Sequence, residues 1–269
     1  MKLGIGTYAY MWSIGFPGAE PETPIRAIDL VRKAHELGLR VVQFGPNLAL
    51  YELEVRELDE VLSACAQWGI EIEIGTRGVE TEHLERLVDF TVRCGAKLLR
   101  TVPEVQGRVP ERKELATLLR AIEPSLRHAQ VRLAMENSLI PASELDAALS
   151  ETGSEWLGIT LDTVNSLAIP EGTEEVARRL ARWTQCLHVK DFTVKREWHM
   201  MGFRVEGRPA GQGQLNVPWL LKLLADEGAR ANAILELWPP EQATPRETIA
   251  LEQQWALESI GYLRTLIEE

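Results

Sequence analysis

Eight short strand-like runs alternate with eight amphipathic stretches along the 269 residues, and this alternation restricts the fold more than any other feature. The runs are "LGIGT" (3–7), "VVQF" (41–44), "IEIEIG" (70–75), "KLLRTV" (97–102), "RLAMEN" (132–137), "LGITLD" (157–162), "LHVKD" (187–191) and "AILELW" (233–238). Strands separated by helices pair in parallel, because each crossover returns the chain to the same end of the sheet. The helical pattern is plain in "PIRAIDLVRKAHELG", where Ile25, Ile28, Leu30, Val31, Ala34 and Leu37 mark one face and Gly38 stops the helix. "VRELDEVLSACAQWG", "TEHLERLVDFTVRCG" and "PWLLKLLADEG" repeat that design.

Units of roughly 30 residues with no Pro/Gly/Ser-rich linker between them predict one α/β domain spanning 1–269, a single (β/α)8 TIM barrel, which typically takes about 250 residues. An open doubly wound sheet shares the alternation, but the count of eight favours closure. No G-x-G-x-x-G follows the first strand, and the glycines of "AGQGQ" (210–214) come too late for a dinucleotide fingerprint. No Walker-type loop is found either.

Composition narrows the function. The apolar fraction is 45%, and no uninterrupted apolar run approaches the roughly 18 residues of a membrane helix. The start, "MKLGIGTY", runs directly into a strand pattern, so no secretory signal and no membrane association are expected, and the expected location is the cytoplasm. Cys65, Cys94 and Cys186 lie far apart with no C-x-x-C pair, which suggests buried apolar residues rather than disulfides or a zinc knuckle. A net charge of −11 opposes a phosphate backbone, so a small molecule rather than nucleic acid is the expected partner.

In a barrel of this kind the chemistry sits where strands run into their following loops. Strand five ends with Glu136, strand six with Asp162, strand seven carries His188, and strand eight carries Glu236. Each alone has an ordinary explanation, as a helix cap, a turn residue, a core histidine or an ion-pair partner. Together they place three carboxylates and an imidazole at one mouth, where like charges disfavour joint ionisation unless a cation intervenes. The expected cofactor is therefore one divalent metal ion. Three oxygen donors and one nitrogen suit Mn²⁺ first, with Mg²⁺, Co²⁺ and Zn²⁺ compatible.

The chain resembles the sugar phosphate isomerase/epimerase superfamily, the xylose isomerase-like TIM barrels, from "GIGTYAY" to "LELWPP", and most sharply in "MENS", "LDTVNS", "HVKDF", "GQGQLNVPWLL" and "LELW". The resemblance implies that Glu136, Asp162, His188 and Glu236 bind the metal and that Glu136 and Glu236 also act as acid and base. One departure is Asn165, where many relatives carry a histidine three residues after the aspartate. Asn can hydrogen-bond a substrate oxygen but cannot shuttle a proton. His35, His83 and His128 fall in helical patterns, so the multi-zinc endonuclease branch is not favoured.

The remaining expected substrate contacts are Tyr8 and Trp12 beyond strand one, Gln43 and Arg100 at the ends of strands two and four, Asn165, and Lys190 at the rim. The long segment after strand seven, residues 192–214, carries Lys195, Arg196, His199, Arg204 and Arg208. It reads as a lid whose His199, Arg204 and Arg208 reach an anionic substrate. The resulting expectation is an isomerase or epimerase that takes a keto sugar or sugar derivative through an ene-diolate.

The alternative is a lyase, a decarboxylase or dehydratase acting on a keto sugar acid. For that reading, the stretch from "HMMGF" to "VPWLL" is similar to the 3-oxo-isoapionate decarboxylase type within the superfamily. A weaker alternative is a non-catalytic sugar-binding protein. Assembly as a homo-oligomer is left open.

Overall fold

Strands covered on both faces need apolar or carefully paired side chains at every position, and the short runs supply them. In the computed structural model, which describes residues 1–267, the strands in chain order are β1 (Leu3–Gly6), β2 (Val41–Phe44), β3 (Glu71–Arg77), β4 (Leu98–Val102), β5 (Arg132–Glu136), β6 (Leu157–Asp162) and β7 (Thr184–Val189). β8 (Asp191–Arg196), β9 (Phe203–Arg208) and β10 (Asn232–Leu235) follow. β1 to β7 and β10 form a closed barrel in which every neighbouring pair is parallel. Closure runs through Leu3 opposite Ala233 and Ile5 opposite Leu235.

Strand alternation divides the barrel's side chains into two sets. Val42, Ile72, Ile74, Leu99, Leu133, Met135, Ile159, Leu161, Leu187, Val189 and Leu235 belong to the large core shared with the helices. Val41, Leu98, Ala134, Cys186 and Ile234 form a separate, smaller plug inside the barrel. Two residues further along each of those strands come Gln43, Arg100, Glu136, His188 and Glu236, so the inward parity turns from apolar to charged towards the C-terminal ends.

The outer ring holds α1 (Met11–Ile14), α2 (Ala27–Glu36), α3 (Val55–Trp68), α4 (Thr81–Arg93), α5 (Arg112–Ala129), α6 (Ala142–Thr152), α7 (Thr173–Leu180), α8 (Val217–Asp226) and α9 (Pro245–Leu263). α2 buries the face read from its sequence, with Ile28, Leu30, Val31 and Ala34 inside. Leu30 is fully buried, so Leu30→Ala would cost about 2–5 kcal/mol. Gly69 ends α3 at φ +65, a left-handed residue that closes the helix before β3. None of the described helices is long and apolar enough to cross a membrane.

The structure shifts most expected strand ends by a residue or two, and three differences matter for the site. β7 starts at Thr184 and stops at Val189, and Asp191 opens a separate antiparallel hairpin, β8 with β9, inside the segment read as a loop. β10 ends at Leu235, so Glu236 lies one residue beyond the ladder. α1 is a one-turn helix absent from the sequence reading.

The exit of the hairpin is tied down by Asp191. Its Oδ1 accepts from the N–H of Phe192 (2.7 Å) and Leu215 (3.0 Å), and its Oδ2 accepts from Gly211 and Gly213 (both 2.9 Å). A Cβ on Gly213 would lie 2.1 Å from Asp191 Oδ1, which explains the glycine. Asp191 is thus an anchor for the "GQGQL" turn.

Candidate active site

Four strand ends bring the candidate ligands together. β5 and β6 pair Glu136 with Thr160. A register shift between Ile159 and Thr160 then brings Asp162 opposite His188 on β7, while β10 sets Ile234 beside His188, so that Glu236 follows two residues on. His188 Nδ1 lies 3.3 Å from Glu136 Oε2, 3.5 Å from Glu236 Oε1 and 3.6 Å from Asp162 Oδ2. Ligating atoms of Glu136, Asp162 and His188 all fall within 4.8 Å of one another. All four side chains are at most 2% exposed.

Other groups aim these atoms. The backbone N–H groups of Val164 and Asn165 both donate to Asp162 Oδ1 at 2.8 Å, which leaves Oδ2 facing the cluster. Arg100 Nε donates to Glu136 Oε2 at 2.6 Å, its Nη2 contacts the same oxygen, and Asn165 Nδ2 donates to Glu136 Oε1 at 2.6 Å. Lys190 Nζ lies 2.7 Å from Asp162 Oδ2 and 2.8 Å from Glu236 Oε2. Both oxygens nevertheless lack a partner at hydrogen-bonding angles, as does His188 Nδ1. The ammonium is therefore a close ion-pair partner that does not complete their hydrogen bonding.

The electrostatics follow. Burial raises the Glu136 carboxyl, but Arg100 and His188 outweigh it and hold the group well below the usual carboxylate range. Asp162 is lowered in the same way, with Lys190 outweighing burial. Burial pulls the His188 imidazolium down, and the carboxylates of Glu236, Asp162 and Glu136 overcome that and hold it well above its ordinary value. Burial also opposes the Lys190 charge, which Asp162 and Glu236 restore and raise.

Two adjoining cavities open over this cluster. One of about 330 Å³ is polar, bounded by Arg77, Arg100, Glu136, Ser138, Lys190 and Glu236. The other, of about 450 Å³, is walled by Met11, Val164, Leu167, Val205, Leu237 and Trp238. Tyr8, Asn165, Ala168 and Lys190 line both. A cavity of about 480 Å³ at the other end of the barrel, lined by Cys65, Cys94, Glu71 and Arg132, holds none of the four clustered residues.

Among the expected substrate contacts, Tyr8, Arg100, Asn165 and Lys190 border the mouth. Trp12 does not: its ring packs edge-on against Phe16 at 5.1 Å, and Met11 takes the place expected for it. Gln43 is 3% exposed and lies below the cluster, its amide spent on His188 and Glu73. His199 sits on the exposed hairpin turn, away from the cavities, and donates nothing to them. Arg204 pairs with Glu197 (3.1 Å), and Arg208 pairs with Glu206 (2.6 Å), so these two cations are neutralised within the hairpin.

Arg77, Ser138 and the apolar wall are mouth residues that the sequence reading missed. Arg77 ends β3, a strand-end position that could have flagged it. His35 stacks on Trp68 and His83 bonds Thr76 Oγ1, so neither joins the cluster, and all three cysteines are buried.

A family model described as "Xylose isomerase-like TIM barrel" matches residues 13–260. Over 266 residues, 98% of this chain and 96% of the other, the sequence is 29% identical to a 3-oxo-isoapionate decarboxylase of Pectobacterium atrosepticum. Among solved structures with the same fold, two illustrate the likeness. A D-psicose 3-epimerase from Clostridium cellulolyticum with D-tagatose has a TM-score of 0.72 at 14% identity over 100% of both chains. A xylose isomerase-like TIM barrel protein from Mycobacterium smegmatis in complex with magnesium has a TM-score of 0.70 at 14% identity over 97% of both chains. The chain belongs to the xylose isomerase-like TIM barrel family.

Proposed function

We propose that the chain is a divalent-metal-dependent lyase that decarboxylates a keto sugar acid, of the type its 3-oxo-isoapionate decarboxylase relative acts on. The observation that carries this reading is the pair of permanent cations, Arg100 and Lys190, inside the carboxylate cluster. Three carboxylates against those two cations leave one negative charge. A divalent ion beside a neutral His188 turns that into one positive charge, which a monocarboxylate substrate cancels and a neutral keto sugar does not.

The residues fit such an ion. Glu136 Oε2, Glu236 Oε1 and Asp162 Oδ2 converge on buried His188 Nδ1 at 3.3–3.6 Å, and that nitrogen has no hydrogen-bond partner at proper angles. Glu136, Asp162, His188 and Glu236 would hold it, with Mn²⁺ expected first and Mg²⁺, Co²⁺ or Zn²⁺ compatible. Once bound it supplies Lewis-acid withdrawal of electrons from a ketone oxygen, worth several kcal/mol in the transition state.

The chain's own groups account for the rest. Lys190 offers charge to a carboxylate, Arg77 at the rim is already paired with Glu104, and Tyr8 offers its hydroxyl to a sugar oxygen. Leu237 and Trp238 present an apolar wall against which a carboxylate loses water, favouring the dispersed charge of departing CO₂. The bond from the carboxyl carbon to its neighbour breaks, its electron pair forms the carbon–carbon double bond of an ene-diolate, and a proton then adds to the carbon that lost CO₂. Glu136, clamped by Arg100 and Asn165, is poorly placed to take a proton from carbon, which this route does not require. Glu236 is the group left to return one.

A second reading, epimerisation or isomerisation, draws support from both glutamates lying near His188 Nδ1 with Glu236 Oε2 free of hydrogen bonds. Incubation of the Mn²⁺-loaded protein with 3-keto sugar acids in D₂O distinguishes the two. A decarboxylase releases CO₂ and places one deuterium at the carbon that lost it. A product of unchanged carbon count would overturn the lyase reading in favour of the second.

A further inference from the structure

A buried carboxylate inside the barrel has no part in the chemistry above. Glu73 sits on β3 below the cluster, 4% exposed, and accepts three hydrogen bonds. Asn232 Nδ2 donates to its Oε1 at 2.9 Å, Gln43 Nε2 donates to its Oε2 at 2.9 Å, and the Cys186 thiol points at Oε2 from 3.6 Å. Gln43 stands directly opposite Glu73 in the strand register, and its other amide atom, Oε1, lies 2.7 Å from His188 Nε2.

These contacts form a directional chain. A carboxylate can only accept, so the Gln43 amide must turn its NH₂ towards Glu73 and its carbonyl oxygen towards His188. A carbonyl oxygen can only accept as well, so His188 must carry its proton on Nε2. A neutral ring protonated there has its lone pair on Nδ1, the atom that faces Glu136, Asp162 and Glu236 at 3.3–3.6 Å. We propose that Gln43, oriented by Glu73, holds His188 in the one tautomer and ring orientation that presents Nδ1 to a metal ion, which makes Gln43 and Glu73 positioning residues of the metal centre. This rests on the metal-binding reading of the cluster and not on which reaction it performs.

The geometry also speaks against simple space filling. A side chain that only filled space would leave these partners unmet, yet position 43 holds an amide with both ends engaged. Neither Gln43 nor Glu73 reaches the two cavities over the cluster, so changing them leaves the substrate surface intact.

The test uses the full chain and measures binding of Mn²⁺ and Zn²⁺ directly, by titration calorimetry and chelator competition. Removing a partner that orients a metal-binding histidine typically costs about 10- to 100-fold in affinity, and Gln43→Met is expected to lose that much. In Zn²⁺-loaded protein, ¹⁵N–¹H correlation spectra should show a slowly exchanging His188 Nε2 proton that becomes fast in Gln43→Met. A merely structural residue would lower Tm while leaving metal affinity and that proton unchanged.

A charge swap guards against misfolding. Gln43→Glu alone sets two carboxylates against each other and should bind metal weakly. Adding Glu73→Gln restores a donor beneath the new acceptor while its carbonyl still serves Asn232, so the double variant should recover at least tenfold in affinity. Parent-like binding by Gln43→Met, or no recovery in the double variant, would overturn the inference and leave the metal reading standing. Failure of the parent protein to bind either ion would overturn both.

Discussion

Replacing Arg100 with methionine should destabilise the metal-free protein far more than any surface ion pair could. Arg100 and Glu136 are 4% and 2% exposed, and the guanidinium meets one carboxylate oxygen through Nε at 2.6 Å and through Nη2, while Nη1 reaches Thr76 O at 3.3 Å. Methionine fills most of the stem but leaves Glu136 as a buried charge without its main counterion, which costs about 3–5 kcal/mol. In a chain of this size that corresponds to a fall in Tm of roughly 6–20 °C. Arg204→Met is the control, because its pair with Glu197 is exposed and its loss should hardly register. The sign of the pH dependence follows from Glu136. Its carboxyl is held below the ordinary value, so its contribution is fully present above the unfolded pKa of about 4.3 and is lost as pH falls through the lower folded value. The gap between parent and Arg100→Met should therefore be widest near pH 7 and narrow below about pH 4. Urea unfolding in EDTA across that range measures it, with Arg100→Met/Glu136→Gln as the variant that recovers most of the loss. A Tm within 2 °C of the parent at pH 7 (roughly 1 kcal/mol or less) would refute the reasoning, because it would mean the pair is not desolvated as the geometry requires.

Four further outcomes follow, three of them from the same cluster. His188 is held well above its ordinary value by the surrounding carboxylates, so its stabilisation of the metal-free fold should be complete below about pH 6.5 and disappear as pH rises through the raised folded value, as read by urea unfolding. Metal binding must displace that proton, so calorimetry of Mn²⁺ binding in buffers of different ionisation enthalpy should report close to one proton released below that value. Lys190→Met should tighten Mn²⁺ binding, because the ammonium competes for Asp162 Oδ2 and Glu236 Oε2, while raising KM for a carboxylated substrate; equal Mn²⁺ affinity in parent and variant would contradict this. Gly213→Ala should loosen the Asp191 anchor, visible as faster hydrogen exchange at Gly211, residue 213 and Leu215 with little change in the barrel strands.

The barrel was legible because its strands and helices each obey a single period. Ile28, Leu30, Val31 and Ala34 follow the helical repeat, and all are buried on one face of α2. The hairpin was not legible as strands. In "DFTVKR" and "FRVEGR" the two-residue alternation is present, but Lys195, Arg196, Arg204 and Glu206 interrupt any apolar face, and a two-stranded ribbon has little core to bury. The same mixture of signs hid the hairpin's internal pairing. Glu197 and Glu206 lie within the very stretch whose arginines looked free, and it is these two carboxylates that occupy Arg204 and Arg208.

At the mouth, residue type and strand-end position were enough to expect that Glu136, Asp162, His188 and Glu236 would lie side by side, because inward parity near the C-terminal edge leaves such groups one place to point. Depth was not readable in the same way. Gln43, Glu73 and Arg100 are all polar residues at inward positions of β2, β3 and β4, yet Arg100 borders the cavity while Gln43 and Glu73 lie beneath the histidine. The difference comes from stagger between neighbouring strands, which the linear sequence does not carry: Gln43 stands opposite Glu73, whereas Arg100 stands opposite Gly75, two residues further along β3. Glu73 was passed over because "IEIEIG" presents two glutamates of equal standing, and only one of them, Glu71, remains exposed, where it pairs with Lys2. A carboxylate that folds into the barrel beside an amide and beneath an imidazole must have its hydrogen bonds met by those neighbours, and here meeting them fixes which ring nitrogen is left for the site above.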